Sequence, residues 1–400
     1  MKAVFDEYYH RLMNAFQNEN IALAIERATA SYRSNVTKAL TKYPHTVELA
    51  KEVRSIKERS VERWEELLKE AMDNIVSNKG QAYFAKTAAD ARKIVGDLVG
   101  NGKVVVKSKS LTSEEIGLRQ HLQSLGNEVW ETDLGEFIIQ LLNDEPMHIL
   151  SPAIHVPREE VAKLFSRVMK ESIPAEIQEE VRAARRFLRN MYTSAQVGIS
   201  GANIVAADTG AVFVLENEGN ARLVTGLPEK HIVLVGIEKL VPTLADAFKV
   251  AEVTWRYAQY VIPSYMSLIG GPSKTGDIEK VITYGAHGPR EYHVVFMDNG
   301  RSELAKDPEL KDALYCLRCG GCMYECPVFS LVGGRFGHRY FIGYGAAWEL
   351  AVSGLEWAAP IAYTCLRCDR CKERCPVKID TAKIVLRIRR LFAERCRSSR

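Results

Sequence analysis

The chain has no run of about 18 uninterrupted apolar residues, the length that suggests a membrane-spanning helix. The nearest approach, Ala346 to Tyr363, is broken by Glu349 and Glu356, and is expected to be a buried helix or a partner-facing surface. Met1 to His10 carries charge and aromatics with no apolar stretch of the export type, so a cytoplasmic location is expected, with at most peripheral membrane association through partners. No G-x-G-x-x-G follows a candidate strand to open a helix, and no G-x-x-x-x-G-K-[ST] occurs. Gly343-Tyr344-Gly345-Ala346-Ala347-Trp348 comes nearest, but it lies between two cysteine runs. Nothing therefore places NAD, FAD or ATP on this chain, and removal of a hydride from a substrate would fall to another polypeptide. The basic residues follow no recognised nucleic-acid-reading motif, so no nucleic-acid partner is expected.

What the chain does have is cysteine, concentrated in its last eighty-five residues. Cys316, Cys319, Cys322 and Cys326 precede Pro327, and Cys365, Cys368, Cys371 and Cys375 precede Pro376, so both runs read C-x2-C-x2-C-x3-C-P. This is the spacing by which thiolates hold cubane iron–sulfur clusters, three from one tight loop and the fourth reaching toward the other cluster. On that rule Cys316, Cys319, Cys322 and Cys375 hold one [4Fe–4S] centre, and Cys365, Cys368, Cys371 and Cys326 hold a second. Zinc also takes C-x2-C pairs, but as two separated pairs around one tetrahedral ion rather than two complete runs of four. A disulfide framework would require an oxidising compartment, which the start of the chain does not indicate. Cys396 is left over as a free thiol without a role.

With 400 residues, 46% hydrophobic and 26% charged, the chain has the composition of an ordinary soluble protein of two or three domains. Its formal charge of +4 is unevenly spread: residues 316–400 hold 15 Lys and Arg against 7 Asp and Glu, and the first 315 residues sum to −4. Cations near an anionic cluster balance its charge, and they also suit docking on an acidic partner; both readings stand. Arg318, Arg367, Arg370 and Lys372 flank the thiols and would raise cluster potentials. Beyond Pro376, Ile384, Ile388 and Leu391 share a helical face, while Arg387, Arg390, Arg395 and Arg397 supply charge for docking or simply for a solvated terminal helix.

Residues 1–80 read as helices: apolar residues from Val47 to Ile75 recur at three- and four-residue steps, giving an amphipathic helix. From 81 to 303, short β-rich runs alternate with helical patterns. Val104–Val106, Val129–Trp130, His148–Leu150, Ile204–Ala206, Val212–Leu215, Ile232–Val235 and Val294–Phe296 are predicted strands. Helices are predicted over Ser113 to Leu125, Arg158 to Met169, Ile177 to Met191 and Leu244 to Val261. The alternation predicts an α/β fold with a parallel-rich sheet, whose ligands sit at the carboxyl ends of the strands. Polar clusters at those ends nominate Lys107, Lys109, Asp208, Thr209, Glu218, Asn220 and Arg222 as a ligand pocket for a small anionic metabolite, although Gly, Asn and Asp also make ordinary turns. His148, His155 and His231 lie at or beside predicted strands, where a lone histidine is more often a hydrogen-bonded structural residue than a ligand or base, and they are left unassigned. Residues 304–400 form the remaining segment, where 38 residues between the cysteine runs, Pro327 to Thr364, favour an α-helical ferredoxin-type module.

The ordered segments VKSKSLTSEEIGL (106–118), ETDLGEFIIQL (131–141), HILSPAIH (148–155), GISGANIVAADTG (198–210), NEGNARLVTGLP (217–228), GIEKLVPTL (236–244) and DNGRSELAKDP (298–308), followed by the two cysteine runs, closely resemble the lactate-utilisation protein B family. The resemblance runs from about residue 20 to 385. It implies a LUD domain, similar in fold to ribose-phosphate isomerases and CoA transferases, joined to a double-cluster ferredoxin-like domain. It also implies an electron-transfer role in oxidising L-lactate, or a related 2-hydroxy acid, to the 2-oxo acid. The companions it implies are a second cysteine-rich iron–sulfur protein and a LUD-only protein, making this chain an electron-transfer subunit rather than a stand-alone catalyst. Many bacterial members continue well beyond the second cluster, whereas this chain stops 25 residues after Cys375. Two rival readings stand beside it: a LUD domain itself catalytic on a sugar phosphate or CoA ester through Glu218, Asp208 and Lys107, with structural or sensing clusters; or an electron relay in a heterodisulfide-reductase-like or glycolate-oxidising complex.

Overall fold

The computed structural model describes residues 2–398. Four helices come first: Lys2–Phe16, Glu19–Lys42, His45–Glu62 and Trp64–Ser77. The amphipathic pattern from Val47 to Ile75, expected as one helix, breaks at Arg63, which leaves helical geometry at φ −113° and ψ 25°. The break lets one stretch of sequence serve two cores. Ala50, Val53, Ile56 and Val61 face the cysteine module, and Leu67, Leu68, Ala71 and Ile75 face the sheets.

The strands are β1 (Gln81–Ala85), β2 (Val104–Lys107), β3 (Glu128–Glu131), β4 (Val197–Ser200), β5 (Ile204–Ala206) and β6 (Ala211–Glu216). They continue with β7 (Lys230–Gly236), β8 (Leu240–Val241), β9 (Tyr265–Ile269), β10 (Lys274–Thr275), β11 (Thr283–Tyr284) and β12 (Glu291–Met297). Six of them form one sheet in the order β1-β12-β7-β4-β2-β3, with every neighbouring pair parallel. Helices cover both faces, so its central strands β12 and β7 are buried beyond their first residues, as the apolar run Val294 to Met297 anticipates. A second sheet, β8-β5-β6-β9, pairs β5 with β8 in parallel and is otherwise antiparallel.

Three predictions from the sequence need correction. His148–Leu150 is not a strand: the backbone N–H of Leu150 donates to Nδ1 of His148 at 3.0 Å and its carbonyl accepts from Lys109, which holds the segment in bends. The helix expected over Ser113 to Leu125 is two short ones, Leu111–Glu115 and Leu118–Ser124, separated where Gly117 turns left-handed at φ +59°. The helix expected over Ala346 to Tyr363 likewise divides at Gly354 into Ile342–Val352 and Leu355–Thr364. No helix is long and apolar enough to cross a membrane among the described residues.

The C-terminal module is helical, ending in Thr381–Ser398. It shares a single core with the first three helices: Tyr8, Ile25, Val53 and Ile56 pack with Phe329, Trp348, Ile361 and Ile384. Tyr32 is fully buried at this junction, donating to the carbonyl of Tyr257 at 3.0 Å and stacking on Tyr324.

One buried ionic cluster ties the module to the parallel sheet. Arg301, just beyond β12, donates through Nε to Glu238 at 2.5 Å and through both terminal nitrogens to Glu115 at 3.0 and 2.8 Å. Tyr340 of the module donates to Glu115 at 2.5 Å, and Trp348 lies 5.0 Å from the guanidinium. Removing Arg301 would strand two buried carboxylates, which typically costs about 3–5 kcal/mol. Arg301→Ala should therefore lower the denaturation midpoint of anaerobic holoprotein sharply, and Arg301→Lys, which cannot form the bidentate fork, should recover only part of it.

Candidate functional site

The two cysteine runs fold as near-copies. In the first, Arg318 and Gly320 take left-handed conformations at φ +61° and +77°; in the second, Arg367 and Asp369 do so at +54° and +58°. These reversals aim backbone N–H groups at sulfur. Arg318 donates to Cys316 at 3.4 Å, and Arg367 to Cys365 in the matching position. The fourth thiol of each run is treated alike: Cys326 accepts from Val328 and Phe329, and Cys375 from Val377 and Ile379. Side chains add to this, with Tyr344 at Cys316 and Thr381 at Cys371.

The thiols ring two adjoining cavities. One is lined by Cys316, Cys319, Cys322 and Cys375, the other by Cys326, Cys365 and Cys368, and Cys371 borders both. The fourth cysteine of each run thus lies with the triplet of the other. All eight are free of disulfides. Among the described residues no group of three or more His, Cys, Asp and Glu converges tightly enough to hold a single metal ion. A Cβ on Gly343 would come within 2.7 Å of the Cys365 sulfur, so the smallest residue stands where the second cavity is narrowest. Burial, reinforced by Cys375 beside Cys319 and by Cys316 beside Cys375, pushes both thiols up to about 12. Thiolates packed this way need strong positive charge between them, which iron supplies.

The surroundings of the two cavities differ. Around Cys316 the protein buries Lys57, Lys239 and Arg318, whose guanidinium stacks 4.3 Å over Trp348 and 4.8 Å over Tyr340. Burial lowers Lys57 to about 7 and Lys239 to about 8. Neither lysine was marked by the sequence, since each is a lone charge far from the cysteines in the chain. Around the second cavity, Cys368 is exposed beside Leu366, Arg367 and Arg370.

A third cavity, of about 280 Å³, opens at the carboxyl ends of the parallel strands. Its walls come from the segments after β2 (Ser108, Lys109, Ser110), β3 (Asp133), β4 (Gly201, Asn203) and β7 (Glu238, Lys239), and Arg318 of the first cysteine loop closes it. Of the residues nominated from the sequence, Lys109, Glu218 and Asn220 line it; Lys107, Asp208, Thr209 and Arg222 do not. Lys107 is buried and paired with Glu131 at 2.9 Å and Glu114 at 3.0 Å, leaving no charge for a ligand. The Asp208 carboxylate accepts from the Leu244 backbone at the start of a helix, and the Thr209 carbonyl from Asn78. Arg222 stacks on Tyr265. Glu218, Asp208 and Lys107 accordingly do not form a catalytic group together. His148, His155 and His231 are structural in their contacts: His148 stacks on Tyr324, His155 pairs with Asp144 and His231 bonds Ser200.

A LUD domain model matches residues 68–297, and a 4Fe-4S dicluster domain model matches residues 312–379. The "uncharacterized electron transport protein YkgF" of Escherichia coli (strain K12) is 34% identical over 393 residues, covering 97% of this chain and 81% of that protein. Lactate utilization protein B of Shouchella clausii is 35% identical, covering 97% and 80%, and that of Bacillus subtilis (strain 168) is 33% identical, covering 99% and 82%. A solved structure of a DUF162 family protein from Deinococcus radiodurans, 14% identical, superposes with a TM-score of 0.33 over 58% of this chain and 98% of that chain. The dicluster match, which spans both cysteine runs, supports two [4Fe–4S] clusters on this chain.

The acids beside Lys107 generate a pH dependence of stability. Glu114, Glu131 and Glu136 crowd Lys107 and Arg119, and burial together with Glu114 and Glu131 raises Glu136 to about 8. A carboxyl raised on folding holds a proton that the unfolded chain has released, so its contribution is present at low pH and declines as pH rises from the ordinary carboxylate range through about 8. Glu136→Gln should therefore gain stability relative to the native protein as pH goes from 6 to 9, measured as the difference in thermal midpoints. A difference that stays flat would rule out the raised carboxyl.

Proposed function

Because the chain belongs to the lactate utilization protein B family, with a LUD domain joined to a 4Fe-4S dicluster domain, we propose that it is the electron-carrying subunit of a system oxidising L-lactate, or a related 2-hydroxy acid, to the 2-oxo acid. Companion proteins perform the oxidation and take up the product electrons. The relatives' names supply the lactate context and the electron-transport context. The reading rests on one observation: Cys371 borders both thiol-lined cavities, so whatever fills one lies against whatever fills the other.

In this reading Cys316, Cys319, Cys322 and Cys375 hold the first cluster, and Cys365, Cys368, Cys371 and Cys326 the second. Bound there, each cluster supplies a one-electron carrier. The chain's own residues do the rest. The paired N–H donors at Cys316, Cys326, Cys365 and Cys375 stabilise charge on sulfur and raise the potential. On the side of the first cavity only, Arg318 adds lasting positive charge, and Lys57 and Lys239, lowered by burial, add charge for as long as they hold their protons. Exposed Cys368, flanked by Leu366 and two arginines, makes the second cavity the side open to a redox partner with acidic character.

Anaerobically purified protein should contain about eight irons and eight labile sulfides per chain; stoichiometric zinc without broad visible absorbance would overturn the proposal. Cys319→Ala and Cys375→Ala should each abolish the same reducible paramagnetic centre, while Cys326→Ala abolishes the other. If Cys375→Ala instead removes the centre that Cys365→Ala removes, the exchange of fourth ligands is wrong. Lactate should bleach the cluster absorbance only when companion proteins captured from native extract are present.

A further inference from the structure

The cavity at the strand ends has no part in holding the clusters, yet it ends against the first of them. Arg318 lies between Cys316 and Cys319 in the chain and forms one wall, and Lys239 next to it is within electrostatic reach of Cys316. Both cations are incompletely answered by the protein. The Nη1 of Arg318 is buried without a hydrogen-bond partner, and its closest carboxylate contact is 3.9 Å, to Glu238. Glu238 is already committed to Arg301, and the ammonium of Lys239 makes no ion pair or hydrogen bond among the described residues. Other parts of the wall have the opposite sign, with Asp133, with Glu216, which accepts from the backbones of Ala221 and Arg222, and with Glu218, a solvent-exposed residue. Lys109 is spent on Asp133 and on the carbonyl of Leu150.

A cavity that sets incompletely answered cations on one wall against acids on another selects among anions. A phosphate ester, with two charges, meets repulsion from Asp133 and Glu218 and offers them no proton. A hydroxycarboxylate offers its single charge to Arg318 and Lys239 and a hydroxyl to the acidic wall, with Ser108, Ser110 and Asn203 as further polar contacts. The guanidinium of Arg318, stacked on Trp348 and Tyr340, is held as a flat fork suited to a carboxylate.

We propose that this cavity is a binding site for a small hydroxycarboxylate, seated with its carboxylate on Arg318 and Lys239 against the first cluster, so that occupancy and the redox state of that cluster are linked. The linkage rests on the cluster assignment above; the binding does not. Adding an electron to the first cluster adds negative charge beside the carboxylate, so the oxidised protein binds the anion more tightly. By reciprocity the bound anion lowers the potential of that cluster and not of the other.

The test uses anaerobic full-length holoprotein and calorimetric titration with L-lactate, pyruvate and inorganic phosphate at pH 8. L-lactate should bind the oxidised native protein. Lys239→Met should weaken it at least tenfold, and Glu218→Gln, on the acidic wall, should tighten it about threefold, with both paramagnetic centres retained. A merely structural role for these residues would not produce changes of opposite sign. Dithionite reduction should weaken binding by about tenfold, which corresponds to a downward shift of about 59 mV in the first centre. Absence of heat with all three probes, equal affinity in Lys239→Met, or phosphate binding tighter than L-lactate would each overturn the site. Because binding is read as heat, clusters that fail to reduce would overturn the relay and leave the binding result standing on its own.

Discussion

Arg301 holds the molecule's two halves in register. Its guanidinium sits between Glu115, which follows β2, and Glu238, which follows β7, and it enters the chain immediately after β12. Three parallel strands therefore end on one buried cation. Glu238 also faces Arg318 at 3.9 Å, and Glu115 accepts from Tyr340, so the same carboxylates that bind the strand ends together reach the first cysteine loop. Desolvating this many charges is expensive, and apolar replacements of equal volume would often be no less stable. What the ionic cluster adds is direction: hydrogen bonds to a carboxylate are directional, so the cysteine module has one orientation in which Tyr340 bonds Glu115 while Arg318 faces Glu238. That orientation is the one that sets the first cluster against the strand-end cavity.

The two cysteine runs are equivalent in sequence and in backbone, and the fold makes them unequal. Cys319 is buried under Tyr32 and Tyr257, which feel its charge, whereas its counterpart Cys368 is exposed. Buried lysines from a distant helix and from the end of β7 surround the first site, and none from those segments reaches the second. Cluster potential depends on nearby charge and on exposure to water, and here the surroundings differ while the ligands do not. Two equal carriers would leave electrons shared between them; carriers in unequal fields give the pair an inner and an outer end.

How much of this was legible in the chain depends on how local each signal is. The cysteine runs carry their chemistry within eleven residues, and the module around them came out helical as the long spacer suggested. The strands β2, β3, β5, β6, β7 and β12 stood out as β-branched runs. β1 did not, because it is an edge strand, QAYFA, with mixed exposure; β4, VGIS, is only four residues long and contains Gly198, where a Cβ would lie 1.9 Å from the Val224 carbonyl. The cavity was half legible. Polar residues at strand ends were the right place to look, and Lys109, Glu218 and Asn220 line it, but sequence cannot tell a lysine facing a ligand from one, like Lys107, already matched by two glutamates. Lys57, Lys239 and Arg301 were not marked as site residues, being single charges brought together from three parts of the chain, although Lys239 and Arg301 lie in segments that carry the family resemblance.

The basic excess of the last eighty-five residues can now be apportioned. Arg387 pairs with Asp307 at 2.8 Å, Arg390 with Glu309, Arg374 with Glu325 at 3.1 Å and Arg395 with Glu356 at 3.1 Å. Arg389 donates to the carbonyls of Ala362 and Cys365, fixing the loop that begins the second run. The terminal helix therefore spends Arg387, Arg389, Arg390 and Arg395 on this chain, while Arg397 is exposed and forms no ion pair among the described residues; the apolar face, Ile384 and Ile388, is buried in the shared core. That removes most of the charge that a docking role for the helix would need. Arg367, by contrast, is exposed next to Cys368 and forms no ion pair among the described residues, while Arg370 lies 3.8 Å from Glu325 with half of its side chain in water. The cations beside the exposed thiol remain open to a partner, where a short contact matters most because electron transfer weakens steeply with distance. Pairing within the chain accounts for most of the helix's charge, and the loop keeps the cations it would present to the proposed acidic partner.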